Sequence, residues 1–406
     1  MWLTALHIAE FVLWAFMAYS VGYVFLFSLA SLLPRRRRHV PETASQSSRF
    51  LILVPAYKED RVILQSAQSL ISQDYPTDNY CVAIISDHMQ PATNEQLASL
   101  PLRLLTPSFD RSSKARALQY AMQEVGTAGL FDRIVIIDAD NVVGSDFLSK
   151  LDAVCHQGFA AIQCHRTAKN LDSDIAVLDG ISEEMNNSIF RRGHNRLGLS
   201  AALIGSGMCF DYEWFASHVN RLDSAVEDRE LEAFLMKEGI FVHYAEHIFV
   251  MDEKVSSGDN FQRQRLRWMT GQVQCLQRMS PNIPRAIATG NINYIDKTLQ
   301  QALVPRSITL VLLPFFGLLT LLLARGWTLK WWLLFAALCI ALTAAIPARM
   351  RTGAILGKVR LVPQLVWRML RNVVHINTRN KEFLHTTHGD NNDGNVNSVD
   401  SNTSES

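Results

Sequence analysis

Hydrophobic and polar positions divide the chain into apolar ends and an alternating middle. Ile8 to Leu33 is almost unbroken apolar sequence, with Glu10 near its start. A helix needs about 20 such residues to cross the hydrocarbon core of a bilayer. Two further apolar runs, Ile308 to Ala324 and Trp331 to Pro347, are joined by Arg325-Gly-Trp-Thr-Leu-Lys330. They read as a helical hairpin, either crossing a membrane or buried in a soluble domain. Trp327, Trp331 and Trp332 stand where interfacial anchors belong.

The middle follows another rhythm. Phe50-Leu-Ile-Leu-Val54 is a strand, Asp60 to Ser72 a helix, Cys81-Val-Ala-Ile-Ile85 a strand, and Leu102-Arg-Leu-Leu105 a third. Ser113 to Val125 is helical, and Ile134 to Ile137 is again a strand. Uniformly apolar strands alternating with helices predict an α/β domain: a mostly parallel sheet with helices on both faces. The expected layout is a membrane helix over 1–34, a cytoplasmic α/β domain over 48–285 and an interfacial segment over 286–307. Two membrane helices follow over 308–347, then a basic segment over 348–387 that is cytoplasmic or rests on the membrane surface. The tail, 388–406, is Asn, Asp, Ser and Gly, and cannot bury a core.

Charge sets the orientation. Arg35 to Arg38 follow the first apolar run, and Arg349, Arg351, Lys358 and Arg360 follow the last. Both clusters predict the cytoplasmic side, with the N-terminus outside. The absence of basic residues before a run this long argues against a signal peptide. A net charge of +1 carries no field that would favour nucleic acid. The cysteines, at 81, 155, 164, 209, 275 and 339, form no C-x-x-C pair, and the histidines form no H-E-x-x-H. That pattern suits a reduced compartment and gives no zinc site.

Candidate chemistry gathers where strands end. Asp138-Ala-Asp140 closes the strand Arg133-Ile-Val-Ile-Ile. Paired carboxylates at a strand's carboxyl end are suited to a hard divalent cation, Mg2+ or Mn2+, that neutralises a diphosphate. The same residues also read as an acidic strand end entering a turn. Pro55, Ala56, Tyr57 and Glu59 follow the first strand, and Asp87 the second. An aromatic ring and a carboxylate there can meet a base and a ribose, or form ordinary turns. Lys114 and Arg116 open a helix against its dipole, which a phosphate contact would explain; exposed basic residues are the simpler account. Glu227 and Asp228 also begin a helix, where acids are common, but Asp228 is placed to serve as a general base. Gln264, Arg267 and Trp268 fall on one helical face. A basic helix on lipid headgroups reads the same way.

Asp87, Asp138-Ala-Asp140, Glu227-Asp228 and Gln264-Arg265-Leu266-Arg267-Trp268 occur in the order and approximate spacing of the membrane-bound family 2 glycosyltransferases. The chain resembles that group, which includes cellulose, chitin and hyaluronan synthases, and the last block matches its Q-(Q/R)-x-R-W pattern. The resemblance implies a GT-A-type fold and metal-dependent transfer of a hexose, with inversion, from a UDP-sugar. It implies Asp228 as the base and Asp138 and Asp140 as metal ligands. Pro55, Ala56, Tyr57, Glu59, Asp87, Lys114, Asp138 and Arg267 would bind the donor. Gln264, Trp268 and Glu227 would line the acceptor and diphosphate side. His88 and Val226 depart from the residues relatives often carry. Ile204-Gly-Ser-Gly-Met208 resembles an acceptor-side loop, and equally reads as a glycine turn.

The acceptor expected is a glycan or a lipid-linked sugar at the cytoplasmic face of a bacterial plasma membrane, in cell-surface polysaccharide synthesis. Three spans are few for a polymer channel, so a single-addition transferase is favoured over a self-sufficient synthase-translocator; oligomers would change that count. A nucleotide-binding transporter or scaffold and a nucleotidyltransferase are the rivals. The first would bind nucleotide without releasing UDP, and the second has no need of the block ending in Trp268.

Overall fold

The computed structural model describes residues 2–34, 47–224, 226–254, 258–323, 325–352 and 357. The Arg35 to Arg38 cluster, most of 348–387 and the 388–406 tail lie outside the described residues. The side chains of 2, 3, 258–265, 267 and 325 also lie outside them.

The chain begins with α1 (Trp2–Ala30), then β1 (Phe50–Tyr57), α2 (Ile63–Ile71), β2 (Tyr80–Asp87), α3 (Pro91–Ala98) and β3 (Arg103–Leu105). Next come α4 (Lys114–Glu124), β4 (Arg133–Ile136), β5 (Val142–Val143), α5 (Phe147–Cys155), β6 (Ala161–Ala168) and α6 (Asp174–Asn186). A π-helical stretch, Asn187–Gly193, continues α6 into α7 (His194–Arg196), followed by β7 (Met208–Asp211), α8 (Tyr212–His218), α9 (Glu227–Lys237) and β8 (Val242–Asp252). The chain closes with α10 (Gly258–Met279), α11 (Ile283–Ala288), α12 (Ile292–Gln301), α13 (Arg306–Leu323) and α14 (Thr328–Ala345).

Among the described residues, the sheet has eight strands in the order β3-β2-β1-β4-β7-β6-β8-β5. Strands β1 to β4 form a parallel half, in which Phe50 pairs with Tyr80 on one side and Arg133 on the other. Here the expected parallel α/β pattern holds. The second half departs from it: β7 runs antiparallel between β4 and β6, and β5 antiparallel beside β8. The sheet is therefore mixed. The α/β rhythm stops being legible after β4, because β6 carries Gln163, His165 and Arg166 and does not resemble an apolar core strand.

Both faces are covered, which accounts for the apolar strands. Alternate residues divide between them. Leu51, Leu53, Ile85, Ile134 and Ile136 face Leu118 and Ala121 of α4 and Leu231 and Leu235 of α9. Phe50, Ile52, Val54, Ile84 and Val135 face Ile63 and Leu70 of α2 and Phe147 and Leu151 of α5.

Among the described residues, three helices are long and apolar enough to cross a membrane: Thr4–Ala30 within α1, α13 and α14. Met17, Val21, Val24 and Phe27 of α1 pack against Leu313 of α13 and Trp331, Leu338 and Ala341 of α14. Trp331 is fully buried and donates its indole N–H to Glu10 (2.8 Å), while Lys330 pairs with the other Glu10 oxygen at 2.6 Å. Trp331 is thus a core residue of the helix bundle and not the interfacial anchor its sequence position suggested. Its indole needs a partner away from water, and Glu10 is the group within reach.

The bundle is fastened to the α/β domain along α6 and the π-helical stretch. A Cβ on Gly193 would stand 2.1 Å from the Phe27 carbonyl oxygen, so only glycine permits this approach of the two backbones. Phe27 stacks on His194 at 3.6 Å, and the Tyr23 hydroxyl donates to Asp296 at 2.8 Å. Burial, together with the Lys297 charge, pushes His194 down to about 4, so the imidazole is neutral at physiological pH. Beyond α14, Arg349 pairs with Glu184 of α6 at 2.8 Å.

Candidate active site

The carboxyl ends of β1, β2 and β4 lie side by side, because these strands are parallel neighbours. Tyr57 is registered opposite Asp87, and the turn after β4 begins beside them. Lys58 and His88, directly after β1 and β2, have φ of 56° each, the only non-glycine positive values among the described residues. Such backbone costs about 1–3 kcal/mol per residue and is held only where surrounding contacts impose it. His88 Nδ1 lies 2.5 Å from Asp87 Oδ1, the Tyr57 ring meets the His88 ring edge-on at 5.7 Å, and the Lys58 N–H donates to the Asp87 carbonyl. These contacts hold Tyr57 and Asp87 at the rim of one cavity.

That cavity has a volume of about 750 Å³, and its walls include Pro55, Ala56, Tyr57, Glu59, Asp87, Lys114, Asp138, Asp140, Glu227, Asp228 and Trp268. Eleven of the thirteen residues that the resemblance assigns to the site therefore converge; Arg116, also offered for a phosphate contact, is not among the walls and donates to the Arg111 carbonyl. The remaining two, Gln264 and Arg267, fall within α10, but their side chains lie outside the described residues.

Lys114 is the hub. Ser113 caps α4 by accepting the Arg116 N–H, which places Lys114 on the helix's first turn. Its ammonium lies 2.5 Å from Asp138 Oδ1, 3.1 Å from Glu227 Oε1 and 2.7 Å from the Gly205 carbonyl. Burial works against this charge, yet Asp138 and Glu227 together outweigh it and hold the lysine pKa above its ordinary range. Burial, with the charges of Asp228 and Asp138, moves the Glu227 carboxyl upward; Lys114 opposes the shift. A methyl group placed on Gly205 would stand 3.5 Å from Lys114 Nζ, 3.8 Å from Glu227 Oε1 and 3.9 Å from Asp228 Oδ2. Lys114 of α4 and the adjacent Glu227 and Asp228 of α9 thus surround one point. Asp228 accepts the Arg229 N–H on Oδ1 at 2.8 Å, in the first turn of α9 where the helix dipole favours an anion.

The Asp138-Ala-Asp140 turn is held from behind. The Asp138 N–H donates to Ser206 Oγ, and Asn141 Nδ2 donates to both Asp140 Oδ1 (2.9 Å) and Asp252 Oδ1 (3.1 Å). Ser206 lies between Gly205 and Gly207, in the loop read as either a glycine turn or an acceptor-side loop. Gly205 and Gly207 both have positive φ, and Ile204 and Gly205 belong to the cavity wall.

A layer of charge below the cavity was not anticipated. Arg166 of β6 donates to Glu183 of α6 at 3.0 Å, and Lys254 pairs with Asp252 at 2.7 Å. Burial would raise the Glu183 carboxyl, but Arg166, Lys254 and Arg191 hold it well below the usual carboxylate range. Arg166, Glu183, Asp252, Glu253 and Lys254 all border the cavity. The available sequence signal was Gln163-Cys-His-Arg166, polar residues within a strand length: Arg166 lines the cavity, while Gln163 bonds the Ser206 carbonyl and His165 lies against Glu184.

The family described as "Glycosyltransferase like family 2" matches residues 48–271, more than half of the chain. No curated protein matches the chain at a significant level. Among solved structures, the mannosyltransferase PcManGT from Pyrobaculum calidifontis, in complex with GDP-Man and Mn2+, is similar at 17% identity with a TM-score of 0.53. The match covers 82% of this chain and 95% of that one. S. aureus TarS 1-349 matches at 13% identity over 81% of this chain and 89% of that one, with a TM-score of 0.41, too low to argue from. At these identities the likeness of PcManGT speaks for a GT-A-type fold; the family match over the α/β domain speaks for glycosyl transfer. By that match, the chain belongs to the family-2-like glycosyltransferases.

Proposed function

We propose that the protein transfers a hexose from a nucleoside diphosphate sugar, UDP-linked in our reading, to a hydroxyl acceptor, with inversion at the anomeric carbon. One observation carries this: Lys114, Glu227 and Asp228 surround a single point in a cavity that also holds Asp138, Asp140, Tyr57 and Asp87. The base-binding end is assigned to Pro55, Ala56, Tyr57, Glu59 and Asp87. The diphosphate is assigned to Lys114 and, from the family pattern, to Gln264 and Arg267. Trp268 forms the acceptor wall.

Asp138 and Asp140 are suited to a divalent cation. Both are hard oxygen donors on the cavity wall, and Asp140 is fixed by Asn141. Among the described residues no third acidic, histidine or cysteine side chain joins them. That suits Mg2+ or Mn2+, which commonly takes one or two carboxylates and fills its remaining positions with phosphate oxygens and water. When bound, the cation neutralises charge on the departing diphosphate.

In the transfer step the acceptor oxygen bonds to the anomeric carbon from the face opposite the diphosphate. The bond from that carbon to the diphosphate oxygen breaks, and its electron pair leaves with the diphosphate. The hydroxyl proton passes to Asp228. Lys114 meets the developing negative charge with a positive charge already in place. Proton removal by a placed base contributes about 10²–10⁴ in rate.

The test is a panel of radiolabelled UDP- and GDP-sugars with Mn2+, Mg2+ or EDTA, reading nucleoside diphosphate release by purified protein. Release that falls about 10²–10⁴-fold in Asp228→Asn, with donor affinity retained, supports the assignment. Undiminished turnover in that variant removes Asp228 as the base. Pyrophosphate in place of nucleoside diphosphate would make the protein a nucleotidyltransferase.

A further inference from the structure

The cavity does not stop at the catalytic cluster. Its lining continues through Ser182 and Asn186 of α6 and Arg306, the first residue of α13, to Leu310, Cys339, Leu342 and Ile346. These last four lie on or just beyond α13 and α14, two of the helices apolar enough to cross a bilayer. Leu310 is about one turn inside α13. Cys339 lies seven residues before Ile346, which at 1.5 Å per residue carries the arm about 10 Å along α14.

The two ends of the cavity differ in chemistry. The sheet end is made of carboxylates and lysine. The helix end is mainly aliphatic, and the Thr343 hydroxyl there is already bonded to the Cys339 carbonyl at 2.8 Å. Between them Arg306 donates to Asn186 and lies over the Phe190 ring at 5.9 Å, forming a polar collar. A nucleotide sugar is polar along its length and gains nothing from aliphatic walls. A soluble glycan would leave those walls wet. A molecule with a polar head and an aliphatic tail matches both ends and the collar between them.

We propose that the acceptor is lipid-borne: its hydroxyl is presented to Asp228, and its aliphatic chain lies in the arm formed by α6, α13 and α14. This rests on the glycosyl-transfer reading above and names the acceptor class for it. The proton balance is unchanged, since the acceptor hydroxyl gives its proton to Asp228 and takes the sugar.

The experiment uses the full chain in detergent with the donor selected by the sugar-nucleotide panel. It is offered polyprenyl-diphosphate-linked monosaccharides of graded chain length, hydroxyl-bearing glycerolipids of graded length, or water-soluble oligosaccharides. The first two arms distinguish the lipid source; either one giving labelled product in the organic phase supports the proposal. KM for the lipid should fall as the tail lengthens and level off once the arm is filled. Leu342→Trp and Ile346→Trp should each raise that KM about tenfold, the loss expected from excluding about two buried methylenes. Leu333→Trp, on the exposed side of α14, should not change it. Lipid should also slow maleimide labelling of Cys339, read by mass spectrometry without donor; this arm stands even if the tryptophan variants fail to fold. Glycosylation of soluble acceptors only, with no dependence on tail length and unprotected Cys339, overturns the lipid acceptor and leaves glycosyl transfer standing. No nucleoside diphosphate release from any donor overturns both.

Discussion

Removing the Lys114 ammonium tests the electrostatics of the site most directly. Lys114→Met keeps the length of the side chain and deletes the charge. In the folded protein it strands Glu227, which is buried, and Asp138, about a third exposed at its side chain. Breaking a buried pair by removing one partner typically costs about 3–5 kcal/mol; the exposure of Asp138 argues for the lower end, about 3 kcal/mol. For a domain of this size that is a fall in Tm of about 6–12 °C.

The loss should depend on pH, and its sign follows from Glu227. Its carboxyl is raised in the folded state even with Lys114 present, by burial and by Asp228 and Asp138. A raised carboxyl stabilises the fold below its unfolded value of 4.5, and this is lost as pH climbs through the folded value. Without Lys114 the folded value rises further, so the variant loses more on going from pH 5 to pH 8 than the wild type does. Lys114 itself stays protonated throughout that range, since its own pKa is raised. The assay is thermal unfolding of the full chain in detergent with EDTA, at half-unit steps from pH 5 to 8. The gap between the two proteins should be widest at pH 8 and narrow toward pH 5. A gap that does not change with pH, or a variant as stable as the wild type at pH 8, refutes the reasoning.

Three further outcomes follow from other parts of the molecule. Asp140→Asn should lower donor affinity in Mn2+ to the value measured in EDTA; calorimetry showing unchanged affinity in Mn2+ would remove Asp140 from the metal site. Gly207→Ala places a Cβ 2.9 Å from Val250 Cγ2 and 3.2 Å from Cys164 Cβ at a φ of 65°. Left-handed strain of about 1–2 kcal/mol plus overpacking of about 1–3 kcal/mol should lower urea stability by about 2–5 kcal/mol. Glu10→Ala leaves the buried Trp331 indole without its acceptor, at about 1–3 kcal/mol, and Glu10→Gln should recover most of the loss in detergent thermal melts.

Much of the catalytic half was legible in the sequence because its signals are local. Apolar runs ending in Asp87 and Asp138 mark buried parallel strands and place their polar ends together. The three apolar segments at the ends of the chain likewise announce themselves by length. Trp331 shows the limit: an indole beside Lys330 looks like an interfacial anchor, and only packing against α1 makes it core. Gln163, His165 and Arg166 concealed β6, because polar residues in a buried strand make sense only once their distant partners, Ser206, Glu184 and Glu183, are known.

By itself the sequence determined the periodicities of the first half of the domain, the apolar terminal helices, and the acids that follow strand ends. The relations between groups distant in the chain were decided by the tertiary structure. Lys114 meets Asp138 and Glu227 across 24 residues and more than a hundred, respectively. Ser182 and Asn186 of α6 share a cavity wall with Leu342 of α14. Hydrophobic pattern reports what each segment buries, since burial acts on one residue's own surface. A charge's partner and a cavity's shape depend on which surfaces come together, and that is set by the folded chain as a whole.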